Sequence, residues 1–488
     1  MVPVVPLRKT FGSVARYSIF RFLVGERLNP LRVLIPKAFR AGIRRCLERR
    51  FSPDVRFVRT ADWTNFASSD NSFQGAPCPA RAMPSLRLNV YGYFSRWFGL
   101  GECARLHARV MLAAGWPVAL HDVDINIPHS RRDSTLSAYL KRQEDATCSL
   151  VFINPDHWEE ALRCIAREKE HGALEGSRHY VIGYWFWELE KFPEAWLAAL
   201  EQVDEIMVSS AFVEHAVRRV SNKPVTRIPL PLLIESASAL KRHHFGLPES
   251  DTIFFCSFDF NSRIARKNPY AVIEAFRQAF PRGDEKVFLL IKSSNGYKKR
   301  ALLSALMDAA AFDGRILLRD DMLERNHLQA LHQCIDVHVS MHRSEGFGLG
   351  LAEAMILGKP VIATAYSGNQ EFMTASNSCP VKFRMVPVLD GQYPHCQGQH
   401  WADPDPADAA RWMCLLHSDR AFAARVGAQA ASDMARDFSA DACTAALSRR
   451  LEVIAFERRA SAPVASCHES SSAVNPAFSP SVEAKEMS

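Results

Sequence analysis

From Leu86 onward the chain alternates short apolar runs with segments of helical spacing. Runs at 86–91, 117–121, 149–153, 179–184, 204–208 and 225–230 read as strands, and residues 101–114 and 156–169 have helical patterning. Pro229 and Pro231 punctuate the chain, and a second series begins near Ile234 with runs at 252–257, 286–292, 315–318, 335–339, 361–364 and 380–383. Strand alternating with helix on this scale predicts an α/β chain of two Rossmann-like, doubly wound domains, 85–232 and 233–438. A helix over 439–456 closes the pattern, and 385–405 has no periodicity, which predicts a long loop of functional or mobile character.

Both ends depart from this pattern. Residues 1–84 are expected to be a basic extension and linker, and 457–488, rich in Ser, Ala and Pro, a disordered tail. The chain carries a net +7, but residues 1–59 hold 14 Lys and Arg against 3 Asp and Glu, so the remainder is slightly acidic. Phe39, Ile43, Cys46 and Leu47 share a helical face ringed by Lys37, Arg40, Arg44, Arg45 and Arg49. Such a helix suits an anionic membrane surface, or equally the protein's own surface. No apolar run reaches the ~18 residues of a spanning helix, so a cytoplasmic protein is expected, peripheral on the inner membrane face if the basic arm binds there. The twelve cysteines include no Cys-x-x-Cys pair, which argues against a zinc module or a disulfide framework.

The chemistry concentrates in residues 335–373. An apolar run at 335–339 breaks into a loop with Gly346, Gly348 and Gly350, then helical spacing takes over until Gly358 and Pro360 end it. Glycines let the backbone approach a ligand, and the helix they open points amides and partial positive charge at an anion such as a diphosphate. Glu345 lies in the loop, and Glu353 follows Gly348 by five residues, roughly 7–8 Å along the helix axis.

Ser-Glu-Gly-Phe-Gly-Leu with Glu345 and Glu353 in Glu-x7-Glu spacing, then Gly-Lys-Pro-Val-Ile-Ala-Thr and Ser-Gly-Asn, resembles the family-four retaining glycosyltransferases of the polysaccharide- and lipopolysaccharide-assembling type. The resemblance implies the GT-B fold, two Rossmann-like domains facing a cleft. It implies that Glu345 lies beside the donor sugar, that Glu353 binds the ribose hydroxyls, and that the amides of Gly346, Phe347, Gly348 and Leu349 hold sugar and diphosphate. Arg263, Arg266 and Lys267 precede a helix opened by Asn268 and Pro269, an unfavourable place for cations unless an anion intervenes. Relatives grip the diphosphate here with an Arg and a Lys. Lys267 matches the Lys, the Arg site reads Asn261, and Arg263 is the expected substitute.

Three other features carry candidate chemistry. Residues 182–196 (IGYWFWELEKFPEAW) cluster aromatics with acids, as a sugar platform would, or as core packing would. A Gly-Tyr-Trp-x-Trp-Glu-Leu run lies at the cleft in similar enzymes, which makes Glu188 a candidate catalytic residue. Gly99 and Gly101 follow the first strand of the first domain and are candidate ligand-loop positions, although they do not form Gly-x-Gly-x-x-Gly, and a nicotinamide dehydrogenase fits poorly. Asp122 and Asp124 form Asp-x-Asp, a short pattern common by chance, and no metal is expected.

The expectation is a hexosyltransferase, mannosyl-like or deoxyhexosyl, acting in surface polysaccharide synthesis. It would use a GDP-, UDP- or dTDP-linked sugar as substrate, a glycan or lipid-linked acceptor, no cofactor and no nucleic acid. The alternatives are a GT-B epimerase that hydrolyses its sugar nucleotide, and a non-catalytic sugar-binding scaffold.

Overall fold

The computed structural model describes residues 56–58 and 86–460, except 126, 128, 130–132, 141–145, 147, 171–178, 235–236 and 312. The basic helix expected near 37–49, the linker over 60–84 and the tail beyond 460 lie outside the described residues.

The first strand, β1 (Arg56–Val58), belongs to the second domain. The first domain is built on β2 (Leu88–Gly92), β3 (Val118–Asp122), β4 (Cys148–Val151), β5 (Tyr180–Tyr184), β6 (Glu205–Val208) and β7 (Val225–Arg227), all parallel in the order β3-β2-β4-β5-β6-β7. The second uses β8 (Thr252–Asp259), β9 (Val287–Ser294), β10 (Ile316–Asp320), β11 (Val337–Ser340), β12 (Val361–Thr364) and β13 (Cys379–Val381). Its sheet is also parallel, in the order β1-β10-β9-β8-β11-β12-β13, so the expected N-terminal extension supplies an edge strand at residues 56–58. The strands read as continuous apolar runs because helices cover both faces. On β9, Leu289 and Ile291 enter one core while Phe288 and Leu290 enter the other.

The order of the second sheet creates a crevice where β8 and β11 lie side by side and their connections run in opposite directions. The loops leaving these two strands carry Arg263 to Lys267 and Glu345 to Gly348. That is the topological switch point, where open α/β sheets bind ligands.

Two further elements tie the domains together. The helix Ala440–Ala460 returns to the first domain, where Arg450 forms a bidentate pair, 2.8 Å at each oxygen, with the fully buried Glu205 of β6. Its Leu447, Leu451 and Ile454 join a core that contains Leu88 and Val90 as well as Phe347 and Leu351. The second element corrects the expectation for 385–405. The segment is a β-hairpin of β14 (Phe383–Pro387) and β15 (His400–Pro404), antiparallel, with Val388, Cys396 and Trp401 buried among first-domain residues.

Candidate functional site at the domain cleft

The carboxylate of Glu345 is the centre of the site. It receives Arg266 Nη1 at 2.9 Å and Lys267 Nζ at 2.5 Å, while its own amide donates to Ser367 Oγ at 2.8 Å. Arg266 is 4% exposed, and its Nη1 also donates to the Ser344 carbonyl. Burial alone would raise the pKa of Glu345, but Arg266 and Lys267 outweigh it and hold the group well below the ordinary carboxylate range. Burial pushes Lys267 down from its usual value, against the pull of Glu345.

The cations expected to await a phosphate are thus partly met by Glu345 itself, and Arg266 rather than Arg263 makes that contact. Arg263 is exposed, and its backbone has φ 67°, in the left-handed region a non-glycine residue rarely adopts. That turn brings Ile264–Lys267 back under the Glu345 loop, where the Arg343 amide donates to the Arg266 carbonyl at 2.7 Å.

The loop beyond Glu345 is held from both sides. The Gly346 carbonyl accepts Ser210 Oγ of the first domain at 2.6 Å, and a Cβ on Gly346 would meet the Trp187 carbonyl at 3.2 Å. Gly368 packs against it so closely that a Cβ there would lie 2.1 Å from the Gly346 oxygen. Phe347 is buried against Phe372 and Phe438 and anchors the loop. Gly348 has φ 98° and starts the helix Leu349–Ile356. Among the described residues, the amides of Gly346, Phe347, Gly348 and Leu349 donate to no protein group. Four amides are open beside two cations.

Glu353 lies on that helix and pairs with Arg325 Nη2 at 2.6 Å. The same guanidinium is 3.8 Å from Glu102 of the first domain. Burial would raise Glu102, but Arg325 and Arg105 bring its pKa down to about 2. Gly99 and Gly101 open the helix that carries Glu102. Gly99 is exposed, whereas Gly101 serves packing, since a Cβ would sit 2.6 Å from the Arg96 carbonyl and 2.7 Å from that of Tyr93.

Glu188 comes to the site from the other side. Its Oε1 is 3.7 Å from Arg266 Nη2, and its Oε2 accepts the Tyr393 hydroxyl at 2.6 Å. The aromatic run around it is not an exposed platform: Trp185, Trp187 and Trp196 are buried, with Trp187 on Trp196 and both Trp185 and Trp196 on Phe192, while the buried Tyr184 packs on Phe152 and Phe186. The core-packing reading of that cluster is the correct one, and Glu188 leaves it beside Arg266.

Asp122 and Asp124 organise loops. Asp122 accepts the Ser95 amide at 3.0 Å, and Asp124 pairs with Arg96 at 3.2 Å. Among the described residues no group of three His, Cys, Asp or Glu side chains is placed to hold a metal ion.

Sequence reasoning missed Arg325, Tyr393 and Arg343. Arg325 opens a helix, so the same electrostatic argument that exposed Arg266 and Lys267 would have found it. Tyr393 carries no local signal, because its partner is 205 residues away.

Residues 252–385 match the family Glycosyl transferases group 1. In fold the chain is similar to sucrose-phosphate synthase from Thermosynechococcus elongatus, at 17% identity and a TM-score of 0.55 over 77% of this chain and 100% of that one. It is similar also to Anabaena HepE in complex with UDP and glucose, at 12% identity and a TM-score of 0.55 over 75% and 100%. The fold is GT-B. This GT-B chain spans 56% of the length of S. aureus TarM, at 13% identity and a TM-score of 0.45 over 63% of this chain. No curated protein matches it. Family match and GT-B fold together support a glycosyltransferase. No helix among the described residues is long and apolar enough to cross a membrane.

Proposed function

We propose that the chain is a retaining hexosyltransferase that moves a mannosyl-like or deoxyhexosyl group from a GDP-, UDP- or dTDP-linked sugar to a glycan or glycolipid acceptor in surface polysaccharide synthesis. The observation that carries this reading is the row of open amides at Gly346–Leu349 beside Arg266 and Lys267. In this reading the diphosphate lies over those amides, Lys267 and Arg263 meet its charge, and Glu353, shared with Arg325, takes the ribose. Charge builds on the leaving diphosphate, so donors already fixed there lower the barrier without reorganisation. Glu345, kept ionised by its two cations, accepts hydroxyls of the donor sugar. The acceptor enters from the first domain, past Glu188.

A thermal-shift screen of nucleotide sugars tests this directly, because bound ligand raises stability by RT ln(1 + [L]/Kd). The cognate donor is expected to raise Tm, and a screen in which no nucleotide sugar or nucleoside diphosphate does so contradicts the assignment. The burial of Trp185 and Trp187 removes an acceptor platform as evidence against a hydrolysing epimerase. Product analysis separates the two: transfer yields a glycosylated acceptor, and hydrolysis yields free sugar with or without acceptor. The basic arm, residues 1–55, is proposed to hold the enzyme at an anionic membrane. Its deletion should abolish binding to anionic vesicles at low salt while leaving β1 in place.

A further inference from the structure

The hairpin β14–β15 is rooted in the catalytic loops of one domain and ends inside the other. At its root, Arg343 donates to the Ala265 carbonyl at 2.7 Å and pairs with Asp403 of β15 at 3.1 Å, while the Ala402 amide donates to the Arg343 carbonyl at 3.0 Å. Both loops of the switch point are therefore bonded to the hairpin or to the arginine that roots it. Toward its tip, Gln399 donates to the Lys191 carbonyl at 2.7 Å and accepts the Lys191 amide at 3.1 Å. The ring of Tyr393 packs 5.8 Å from that of Trp187.

In the tip itself, Tyr393 touches the two groups that face each other across the cleft. Its hydroxyl donates to Glu188 Oε2 at 2.6 Å, and the Arg266 guanidinium carbon lies 5.7 Å from its ring centroid. Burial, reinforced by Glu188, raises the Tyr393 phenol far above its usual value, so it stays protonated and can only donate to the carboxylate. Glu188 is left with one oxygen directed at Arg266. The Arg266 guanidinium is then bracketed by Glu345 of its own domain and Glu188 of the other, at 2.9 and 3.7 Å.

On the glycosyltransfer reading above, we propose that Tyr393 is a positioning residue for transfer: its hydroxyl fixes the Glu188 carboxylate so that the second oxygen sits beside Arg266 and accepts a hydroxyl of the acceptor sugar. Glu188 then orients the acceptor rather than acting as a freely rotating base. Because Tyr393 and Glu188 come from different domains, their hydrogen bond couples this arrangement to the position of the two domains.

The test compares Tyr393→Phe, which keeps the ring and removes the donor, with Tyr393→Ala in the full chain. Transfer with the nucleotide sugar that the wild type uses, affinity for the matching nucleoside diphosphate, and Tm are measured together. Tyr393→Phe is expected to lower kcat for transfer at least about tenfold, as loss of a hydrogen bond to a charged group does, with nucleotide affinity within twofold and Tm within about 2 °C of the wild type. A Phe variant with wild-type kcat beside a slow Ala variant shows that the ring merely packs, and overturns the proposal. So does a parallel fall of kcat and nucleotide affinity. A wild type that turns over no nucleotide sugar refutes the glycosyltransfer reading instead. The positioning claim is then decided by a crystal structure of Tyr393→Phe: Glu188 turned away from Arg266 supports it, and an unmoved Glu188 refutes it.

Discussion

Arg266 and Lys267 both lean on one carboxylate, so truncating Glu345 would strand a buried guanidinium, a change that typically costs 3–5 kcal/mol. Glu345→Gln keeps the shape and is the cleaner probe. It is expected to slow transfer by tenfold or more with nucleotide affinity nearly intact, while Glu353→Ala weakens nucleotide binding first. Donor affinity and turnover measured for each variant decide this, and turnover within twofold of wild type for both contradicts the site. A second residue-scale prediction concerns acid stability. His107 is buried between Phe152 and Tyr184, and burial lowers its pKa from 6.5 to about 4 against the opposing pull of the Cys103 carbonyl. The unfolded chain binds that proton more readily, so this contribution is complete above pH 6.5 and is lost as pH falls towards 4. It amounts to ~3 kcal/mol by linkage. His338 and His342, lowered in the same direction by burial, add to the effect. Denaturant unfolding at pH 7.5 and pH 4.5 should show the drop, and His107→Gln should shrink it. At this scale Glu345, Lys267 and Glu188 were legible in the sequence because each sits in a local pattern. Tyr393 and Arg343 were not, because what makes them matter is the distant side chain they meet.

The elements with two covered faces were readable as uninterrupted apolar runs, and the strands β8 to β12 fall within a few residues of where those runs predict. The hairpin β14–β15 was not readable. Its buried residues Val388, Cys396 and Trp401 pack on the other domain, so their spacing follows the surface of a neighbour rather than a helix or sheet period. The glycines around Glu345 divide in the same way. Gly348 announces its positive φ by opening a helix, but the close approach of Gly368 to Gly346 belongs to two separate loops. Gly368→Ala must push that second loop away, and is expected to destabilise the fold by about 1–3 kcal/mol or more and to cut transfer by a larger factor than a remote variant of equal instability. Comparing activity with Tm for several such variants checks this.

For the molecule as a whole, the reaction proposed has side chains and amides of the second domain meet the diphosphate's charge, which would make a divalent ion unnecessary. Activity should persist in excess EDTA. Asp124→Asn, which loosens a partly exposed pair with Arg96, should cost little. Lys267→Ala should cost roughly 10²-fold, as removal of a transition-state donor does. Loss of turnover in EDTA, restored by Mn²⁺, would move the catalytic centre to the first domain.

The pair between Arg450 and Glu205 also orders events during synthesis. The strand that carries Glu205 leaves the ribosome early, yet the cation that neutralises it, together with Leu447, Leu451 and Ile454 that seal the same core, arrives some 245 positions later. At roughly 5–20 residues per second this is a wait of roughly 10–50 s. Throughout that interval Glu205 has only the hydroxyls of Tyr180 and Thr226 as partners, and the nascent first domain keeps an open apolar face. That face stays open until the helix Ala440–Ala460 is made, so the first domain is completed only after the second has been synthesised.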